Sequence, residues 1–243
     1  MKIEFKNVNK NFKKVEILKQ INLRFETGNV YGIYGRNGSG KSVFLKMIAG
    51  FMLPTSGEIL FDGENLNFKN EFPKDLRALI ENPSFFPDLT GFENLRLLAK
   101  IQNRIGDNEI LAALDIVNLT DEKDKKYSKY SLGMKQKLGI AQAIMENPKI
   151  LILDEPFNGI EEKTVKKIID YLNEIKKDRI IIISTHIIED LHKLTEKIYY
   201  FDNKEVYENI KKQSWTNSNC QGSCLNIFDY CIRGVYTDIF RTS

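Results

Sequence analysis

The first part of the chain alternates apolar and polar positions at the spacing of β-strands. Turn residues, such as the pair Gly28-Asn29, separate these apolar runs. One stretch changes to helical spacing and ends at a glycine, with Pro54 soon after it. We therefore predict the strands Ile3–Val8, Ile17–Phe25, Val30–Tyr34 and Glu58–Phe61, and a helix from Ser42 to Gly50.

The middle of the chain has helical periodicity instead. Thr90 and Glu93 have the spacing of a capping box, in which two side chains satisfy backbone amides at the start of a helix. Apolar residues at helical intervals predict three amphipathic helices after this box. They indicate a helical subdomain at about residues 84–147, inserted between strands.

Beyond residue 149, strands and helices alternate. Apolar runs predict strands at Ile150–Leu153, Arg179–Ser184 and Lys197–Phe201, with helices at 165–175 and Ile188–Leu194 between them. Such alternation is typical of a doubly wound, mostly parallel sheet. We therefore predict an α/β fold with that sheet, an antiparallel β portion and the inserted helical subdomain.

Charge and hydropathy exclude several classes of protein. The net charge is +3 over 243 residues, and lysines are interspersed with acidic residues, so we expect no nucleic-acid partner. No apolar run approaches the roughly 20 residues that a membrane-spanning helix needs. The first residues alternate in charge and lack an apolar signal core. We expect a cytoplasmic protein that reaches a membrane only through a partner.

The end of the chain differs in composition from the rest. Lys212 is the last lysine, and the three cysteines and the only tryptophan follow it. A cytosolic chain is not expected to carry a disulfide framework, and a structural zinc site normally has four ligands, so free thiols are expected here. We predict one domain at 1–213 and a divergent, poorly structured tail at 214–243. A small tail that packs on the domain is the alternative.

One segment matches the phosphate-binding loop G-x-x-x-x-G-K-[ST] in full, between a predicted strand and a predicted helix. Its glycines let backbone amides converge on a phosphate, and the helix N-terminus adds partial positive charge. Lys41 is expected to reach the β- and γ-phosphates of a nucleotide, and Ser42 to ligate Mg²⁺. The residues predicted to bind ATP here are Gly35, Arg36, Asn37, Gly38, Ser39, Gly40, Lys41 and Ser42.

Two carboxylates follow the apolar strand that begins at residue 150. Asp154 and Glu155 would lie at the carboxyl edge of the sheet, where a doubly wound fold places its ligand site. We expect Asp154 to hold Mg²⁺ and Glu155 to polarise the attacking water. With the phosphate loop, this pair predicts a P-loop nucleoside triphosphatase.

Three further segments resemble those of the ABC ATPase family. Residues 130–136, Tyr-Ser-Leu-Gly-Met-Lys-Gln, resemble the signature sequence of that family. Residues 81–83, Glu-Asn-Pro, lie where the family carries its Q-loop, and residues 184–186, Ser-Thr-His, lie where it carries its switch histidine. The resemblance covers residues 1 to about 210, and on it the chain is identified as a member of the family.

The resemblance implies a head-to-tail dimer, with ATP between the phosphate loop of one subunit and the signature of the other. Ser131 and Gly133 would contact the γ-phosphate of the opposite ATP, and His186 would sense that phosphate and hold the catalytic geometry. Phe12 stands where the family keeps an aromatic ring on adenine, although ordinary packing in the strand layer is the alternative. The implied cofactors are ATP and Mg²⁺, and the dimer partner is a second copy or another ABC ATPase.

The chain departs from the common family pattern at three places. Glu81 replaces the usual Gln of the Q-loop, and its carboxylate is still expected to approach Mg²⁺ or water. Leu132 replaces a signature glycine and must adopt an ordinary backbone conformation. Glu161 replaces the usual Asp of the D-loop, which affects its expected contact across the dimer. Hydrolysis is still expected, because the catalytic set is intact: Lys41, Asp154, Glu155 and His186.

Residues 81–90 and the signature resemble one subgroup, the ATPases of bacterial bacitracin and lantibiotic exporters. Phe85 and Phe86 would suit a groove for a helix of a separate transmembrane permease, or would pack inside the helical subdomain. We predict the motor of an exporter of a peptide antibiotic or other drug, held on the inner face of the membrane. Two alternatives stay open: a soluble ABC ATPase acting on ribosomes or in iron–sulfur assembly, and a regulatory module that holds ATP without turnover.

Overall fold

Ten strands in the part of the chain that the structure describes form two sheets. A computed structural model describes residues 1–65, 72–81, 84–195 and 197–208, and the strands lie within these ranges. In chain order they are β1 (Lys2–Phe12), β2 (Val15–Glu26), β3 (Asn29–Tyr34), β4 (Ser56–Phe61), β5 (Glu64–Asn65), β6 (Leu76–Leu79), β7 (Ile150–Asp154), β8 (Ile180–Thr185), β9 (Ile198–Asp202) and β10 (Glu205–Glu208).

The described residues also form six α-helices. One follows the third strand, three lie between the sixth and seventh strands, and two connect the later strands, with short 3₁₀ turns between some of them. They are α1 (Lys41–Ile48), α2 (Gly91–Gln102), α3 (Asp107–Ile116), α4 (Leu132–Ile144), α5 (Glu162–Ile175) and α6 (Ile188–His192).

The larger sheet has the strand order β10-β9-β3-β8-β7-β6. All its pairs are parallel except β10 with β9, which confirms the doubly wound, mostly parallel sheet that the sequence predicts. Because β3, β8 and β7 are neighbours and run in the same direction, the segments that follow them meet at one edge. The phosphate loop, the acidic pair and the switch histidine all begin at that edge.

Strands β7 and β8 are buried on both faces, as their continuous apolar sequences require. In β7, Leu151 and Leu153 belong to a core cluster that extends into the helices of the insert. Ile150 and Ile152, which point to the other face, belong to a second cluster shared with α1 and the smaller sheet. The isoleucines of β8 alternate between the two clusters in the same way.

The smaller sheet is antiparallel, with the order β2-β1-β4-β5. It fixes the start of α1 through an aromatic cluster. The ring of Phe44, on α1, lies 4.7 Å from that of Phe5 and 6.1 Å from that of Phe25, measured between centroids. Tyr31 and Tyr199 of the larger sheet also contact Phe25, at 4.9 and 5.6 Å. Helix α1 is therefore held by both sheets, and this anchors the loop before it.

The predicted capping box is present at the start of α2. The Thr90 hydroxyl accepts from the Glu93 amide, and the Glu93 carboxylate accepts from the Thr90 amide. Hydrogen bonding of the Glu93 carboxylate to the backbone and to the side chain of Thr90 lowers the pKa of Glu93. Helices α2, α3 and α4 lie between β6 and β7 in the chain, where the sequence predicts the helical insert.

Some boundaries differ from the sequence predictions. Helix α6 ends at His192 rather than at Leu194, and beyond it the Leu194 amide turns back to the carbonyl of Leu191 in an i to i−3 hydrogen bond. The Thr195 hydroxyl then donates to the carbonyl of Val30, which draws the chain onto β3. Helices end where such turns replace the regular i to i−4 pattern.

Among the described residues, no helix is both long enough and apolar enough to cross a bilayer. The predicted tail at 214–243, with its free thiols, lies outside the described residues.

Candidate active site

The phosphate loop joins the end of β3 to the first turn of α1. Gly40, the residue before the helix, has φ +99°, a left-handed conformation that favours glycine. A Cβ at this position would also lie 2.9 Å from a methyl group of Leu18. The loop thus reaches the helix by a path that a larger residue would block, and its amides lie at the positive end of the α1 dipole.

Lys41 is buried, and its ammonium group lies inside the loop. It donates to the carbonyl of Gly35 at 2.6 Å and to that of Arg36 at 3.3 Å. Its nitrogen is 3.6 Å from Oε1 of Glu155, which places a positive charge next to the acidic pair. The hydroxyl of Ser39 is buried and has no hydrogen-bond partner among the described residues.

Asp154 is held between two hydroxyl groups. The Ser42 hydroxyl donates to Oδ2 at 2.7 Å, and the fully buried Ser184 hydroxyl donates to Oδ1. Ser184 lies opposite Asp154 in the pairing of β8 with β7. The sheet register therefore fixes the rotation of the Asp154 carboxylate, and both oxygens stay at the mouth of the phosphate loop.

Glu155 contacts His186 across the same edge. Its Oε2 accepts from Nδ1 of His186 at 2.8 Å and from the His186 amide at 3.4 Å. The backbone of Glu155 has φ +47°, which is sterically costly for any residue that carries a side chain. Its amide donates to the Ser184 carbonyl at 3.0 Å, which helps to hold this conformation. Oε1 is buried and accepts no hydrogen bond from the described residues.

Glu81 lies apart from this group. Its carboxylate pairs with the Lys46 ammonium on α1, one helical turn beyond Ser42. No hydrogen bond or ion pair joins Glu81 to Ser42 or Asp154 in the described part of the chain. Of the three residues that the sequence predicts to hold Mg²⁺, the structure brings two together and gives the third a lysine partner.

The predicted signature forms the first turn of α4. Ser131 is its N-cap, and the Ser131 hydroxyl accepts from the Met134 amide at 3.3 Å. Leu132 is the first helical residue, with an ordinary backbone as expected, and its side chain is 71% exposed. A Cβ on Gly133 would lie 2.4 Å from the carbonyl oxygen of Gly159, so only glycine permits this close approach. Within 1–65, 72–81, 84–195 and 197–208, no hydrogen bond links Ser131 or Gly133 to the phosphate loop.

The three aromatic candidates, Phe12, Phe85 and Phe86, differ in how far their rings are exposed. Phe12 is 43% exposed at the end of β1, so the interpretation of it as a core residue is wrong. The Lys10 ammonium lies 5.0 Å from the centroid of its ring. Phe85 packs on the core of the insert, with its ring 5.3 Å from that of Tyr127, whereas Phe86 is 59% exposed. Of the two loop aromatics, one is therefore structural and one is accessible.

Comparison with known proteins agrees with this geometry. The chain matches the family model described as ABC transporter over residues 18–158, more than half of its length. The chain belongs to the ABC transporter family. Within that family it is an ATP-binding subunit and an ABC ATPase, and the sequence prediction of the family is confirmed.

Several relatives of this ABC ATPase are transport proteins of bacteria. An uncharacterized ABC transporter ATP-binding protein of Bacillus subtilis, YybJ, is 44% identical over 80% of this chain and 89% of its own length. The bacitracin transport ATP-binding protein BcrA of Enterococcus faecalis is 36% identical over 86% of this chain and 68% of its own. The lantibiotic transport ATP-binding protein SrtF of Streptococcus pyogenes is 31% identical over 85% and 90%.

A solved structure shows the same fold. The ATP-binding cassette MJ0796, described as dimeric, in a post-hydrolysis state and bound to ADP and Pi, has a TM-score of 0.75 and 28% identity to this chain. The match covers 85% of this chain and 97% of the cassette. The fold is therefore that of an ABC ATPase cassette, as the sequence predicts.

Sequence reasoning missed two residues that contact the acidic pair of this ABC ATPase. Ser184 could have been found, because the ends of adjacent parallel strands place it opposite Asp154. Gln136, on α4, donates to the carbonyls of Glu155 and Pro156, both at 3.2 Å. Only the three-dimensional packing of α4 on the loop after β7 shows this contact.

Proposed function

We propose that the protein is the ATP-hydrolysing motor of an ABC exporter whose membrane-spanning part is a separate permease. The observation that carries this proposal is the convergence of Lys41, Ser42, Asp154, Glu155 and His186 at one edge of the sheet. A binding module without turnover would have no use for a carboxylate held by a histidine beside a buried lysine.

The residues at this edge fit a nucleotide triphosphate with Mg²⁺. The unpartnered Ser39 hydroxyl and the amides at the α1 N-terminus supply donors for phosphate oxygens. The Ser42 hydroxyl and the Asp154 carboxylate are hard oxygen ligands 2.7 Å apart. Mg²⁺ typically binds to one or two such groups plus substrate phosphates and water. When bound, it would neutralise charge on the phosphates.

Glu155 is the group best placed to act as general base. Its Oε2 is occupied by His186, which fixes the carboxylate, whereas the buried Oε1 has a free acceptor site for a water proton. The ammonium of Lys41 lies 3.6 Å from Oε1, beside the position that this water would take. On this proposal His186 orients the carboxylate of Glu155, and Glu155 accepts the proton of the attacking water.

Phe12 is proposed to stack on the adenine base. We expect Phe12→Ala to raise KM for ATP about tenfold while kcat stays near the wild-type value, because stacking of a base on an aromatic ring contributes about 1–3 kcal/mol. Steady-state ATPase assays would measure both constants. Phe51→Ala, which removes another exposed aromatic ring, is the matched control and should leave KM unchanged. An unchanged KM in Phe12→Ala would contradict the stacking role.

A head-to-tail dimer is proposed because one subunit leaves the site incomplete. Ser131 caps a helix whose N-terminus could bind a phosphate, yet neither it nor Gly133 hydrogen-bonds to the subunit's own phosphate loop within the described residues. In a second copy or another ABC ATPase, the signature would close the site from the opposite side. The related cassette MJ0796, which has the same fold, is dimeric.

The permease and its substrate class are proposed from the relatives. BcrA and SrtF are named as transport ATP-binding proteins for bacitracin and a lantibiotic, so we assign this chain to exporters of peptide antibiotics or related drugs. The exposed ring of Phe86 is a candidate contact for a helix of the permease. On this proposal the protein lies at the cytoplasmic face of the membrane and binds it only through that partner.

Copurification tests the proposal directly. Glu155→Gln should hold ATP in a closed dimer, because the amide cannot accept the proton of the attacking water. We expect the tagged variant, purified from its native cell in detergent with ATP, to bring down a multi-helix membrane protein in stoichiometric amount. Recovery of ribosomes or another soluble assembly without a permease would refute the transporter function and support a soluble ABC ATPase.

A further inference from the structure

Lys137 is a buried lysine on α4 that the expected nucleotide contacts do not use. Its ammonium pairs with Oε1 of Glu161, which is the one acceptor it has among the described residues. A buried charge is tolerated only when it is paired, so this contact is a fixed part of the structure. The hydrogen bond from Lys137 lowers the pKa of Glu161 and keeps its carboxylate ionised.

Glu161 is held from a second side as well. Its Oε1 accepts from the hydroxyl of Thr164 at 3.0 Å, and Thr164 is fully buried. The Thr164 hydroxyl in turn accepts from the Asn118 amide group at 3.0 Å. Glu161 also precedes α5, whose first amides bond to its carbonyl. The end of the loop after β7 is therefore fixed where Lys137 meets it.

The same loop, residues 155–161, is held by α4 at two more points. Gln136 donates to the carbonyls of Glu155 and Pro156 at the beginning of the loop. In its middle, Gly133 approaches the carbonyl of Gly159 so closely that no side chain fits between them. Three positions on the first two turns of α4 thus hold the start, the middle and the end of the loop.

This loop carries Glu155, whose backbone is in the sparsely populated left-handed region. A non-glycine residue keeps such a conformation only when the surrounding structure enforces it. Hydrogen bonds to Ser184 constrain the amide side of Glu155, and Gln136 constrains the carbonyl side. If the far end of the loop were free, relaxation toward ordinary dihedral angles would rotate the Glu155 carboxylate away from His186.

We infer that Lys137 is a positioning residue for ATP hydrolysis, which acts through its ion pair with Glu161 to hold the loop 155–161 and thereby the carboxylate of Glu155. This inference rests on the proposed function. It assigns Glu161 a role inside its own subunit, in place of the cross-dimer contact expected from the family pattern. It also explains why the longer Glu is suited to this position, since its carboxylate reaches a lysine on the neighbouring helix.

Kinetics of the purified full chain test the inference. We expect Lys137→Met to lower kcat for ATP hydrolysis by about tenfold to a hundredfold, because displacement of a catalytic group by about 1 Å has effects of that size. KM for ATP should stay near wild type, because Lys137 makes no contact with the phosphate loop or Phe12 in the described structure. Lys137→Arg, which keeps the charge, should recover most of the activity.

The partner residue gives a second, independent variant. Glu161 is 58% exposed, so Glu161→Gln removes the negative charge of the pair without altering a buried side chain. It should reduce kcat to a similar extent, and the double variant Lys137→Met/Glu161→Gln should lose no more than either single variant. Additive losses in the double variant would contradict a role that depends on the pair.

A buried ion pair at the other end of α4 is the matched control. Arg77 of β6 pairs with Glu146, just beyond the helix, and both side chains are largely buried. Glu146→Gln should lower the melting temperature but leave kcat unchanged, since this pair lies at the opposite end of α4 from the residues that hold loop 155–161. Equal losses of kcat in Glu146→Gln and Lys137→Met would show that Lys137 is merely structural.

The two histidines of the chain provide a readout that does not require turnover. In NMR spectra of Lys137→Met, the ring resonances of His186 should shift, because its contact with Glu155 changes, while those of His192 stay in place. Unchanged His186 resonances together with wild-type kcat would overturn the inference. A wild-type chain without ATPase activity would contradict the proposed function, and the His186 signal would still test the positioning role.

Discussion

Glu155→Gln is expected to lower kcat for ATP hydrolysis by about a hundredfold to ten-thousandfold, the range typical for loss of a general base. The substitution keeps the size of the side chain but replaces the proton acceptor by an amide. Oε1, which is buried beside Lys41 and accepts no hydrogen bond from the described residues, is the atom whose chemistry changes. ATP binding should persist, because the phosphate loop is untouched.

Single-turnover ATP hydrolysis by the purified subunit, with ATP binding measured separately, would check this result. Glu189→Gln, an exposed carboxylate on the neighbouring helix α6, is the control and should hydrolyse ATP at the wild-type rate. Wild-type turnover by Glu155→Gln would show that another group takes the proton, and the assignment of Glu155 would be wrong. If ATP binding and turnover were both lost, the result would instead indicate damage to the phosphate loop.

Lys41→Ala is the second change with a large expected effect. We expect kcat to fall by about a hundredfold to a thousandfold, as for other preorganised donors removed from an active site, and ATP binding to weaken as well. The ammonium has two functions that alanine cannot replace. It supplies positive charge where phosphate oxygens would bind, and it cross-links the loop through the carbonyls of Gly35 and Arg36.

Lys41→Arg and Lys100→Ala separate these functions from nonspecific effects. Arginine keeps the charge, but its larger planar group does not fit the space between the two carbonyls, so we expect little recovery. Lys100 is an exposed lysine on α2, and its loss should leave ATPase activity unchanged. Full activity of Lys41→Ala would refute its role at the phosphates.

The sequence predicts the parts of the site that are local or follow from sheet topology. Residues 35–42 form one continuous motif between a strand and a helix, so their arrangement needs no distant information. Ser42 and Asp154 are 112 residues apart, yet both are expected at one edge because the parallel strands of a sheet have their carboxyl ends on the same side. The pairing of Glu155 with His186 follows from the same rule.

Contacts that depend on helix packing could not be read from the sequence. Gln136 and Lys137 reach the loop after β7 only because α4 lies against it at one particular rotation. The partner of Glu81, Lys46, depends on the distance between the end of β6 and α1. Strand β6 itself, with the sequence Leu-Arg-Ala-Leu, has no β-branched residue, and it is a strand because it pairs with β7.

The double burial of β8 has a consequence for chains that are not yet folded. Ile180–Ile183 is an uninterrupted run of four isoleucines, which β3 and β7 cover on both edges in the finished sheet. Before the sheet closes, the same run is an aggregation-prone segment of high β-propensity without charge or proline. It can then pair with the same segment of another molecule. Heating should therefore end in aggregates rather than in reversible unfolding, and the lifetime of the protein at high temperature will be set by how fast β8 is released.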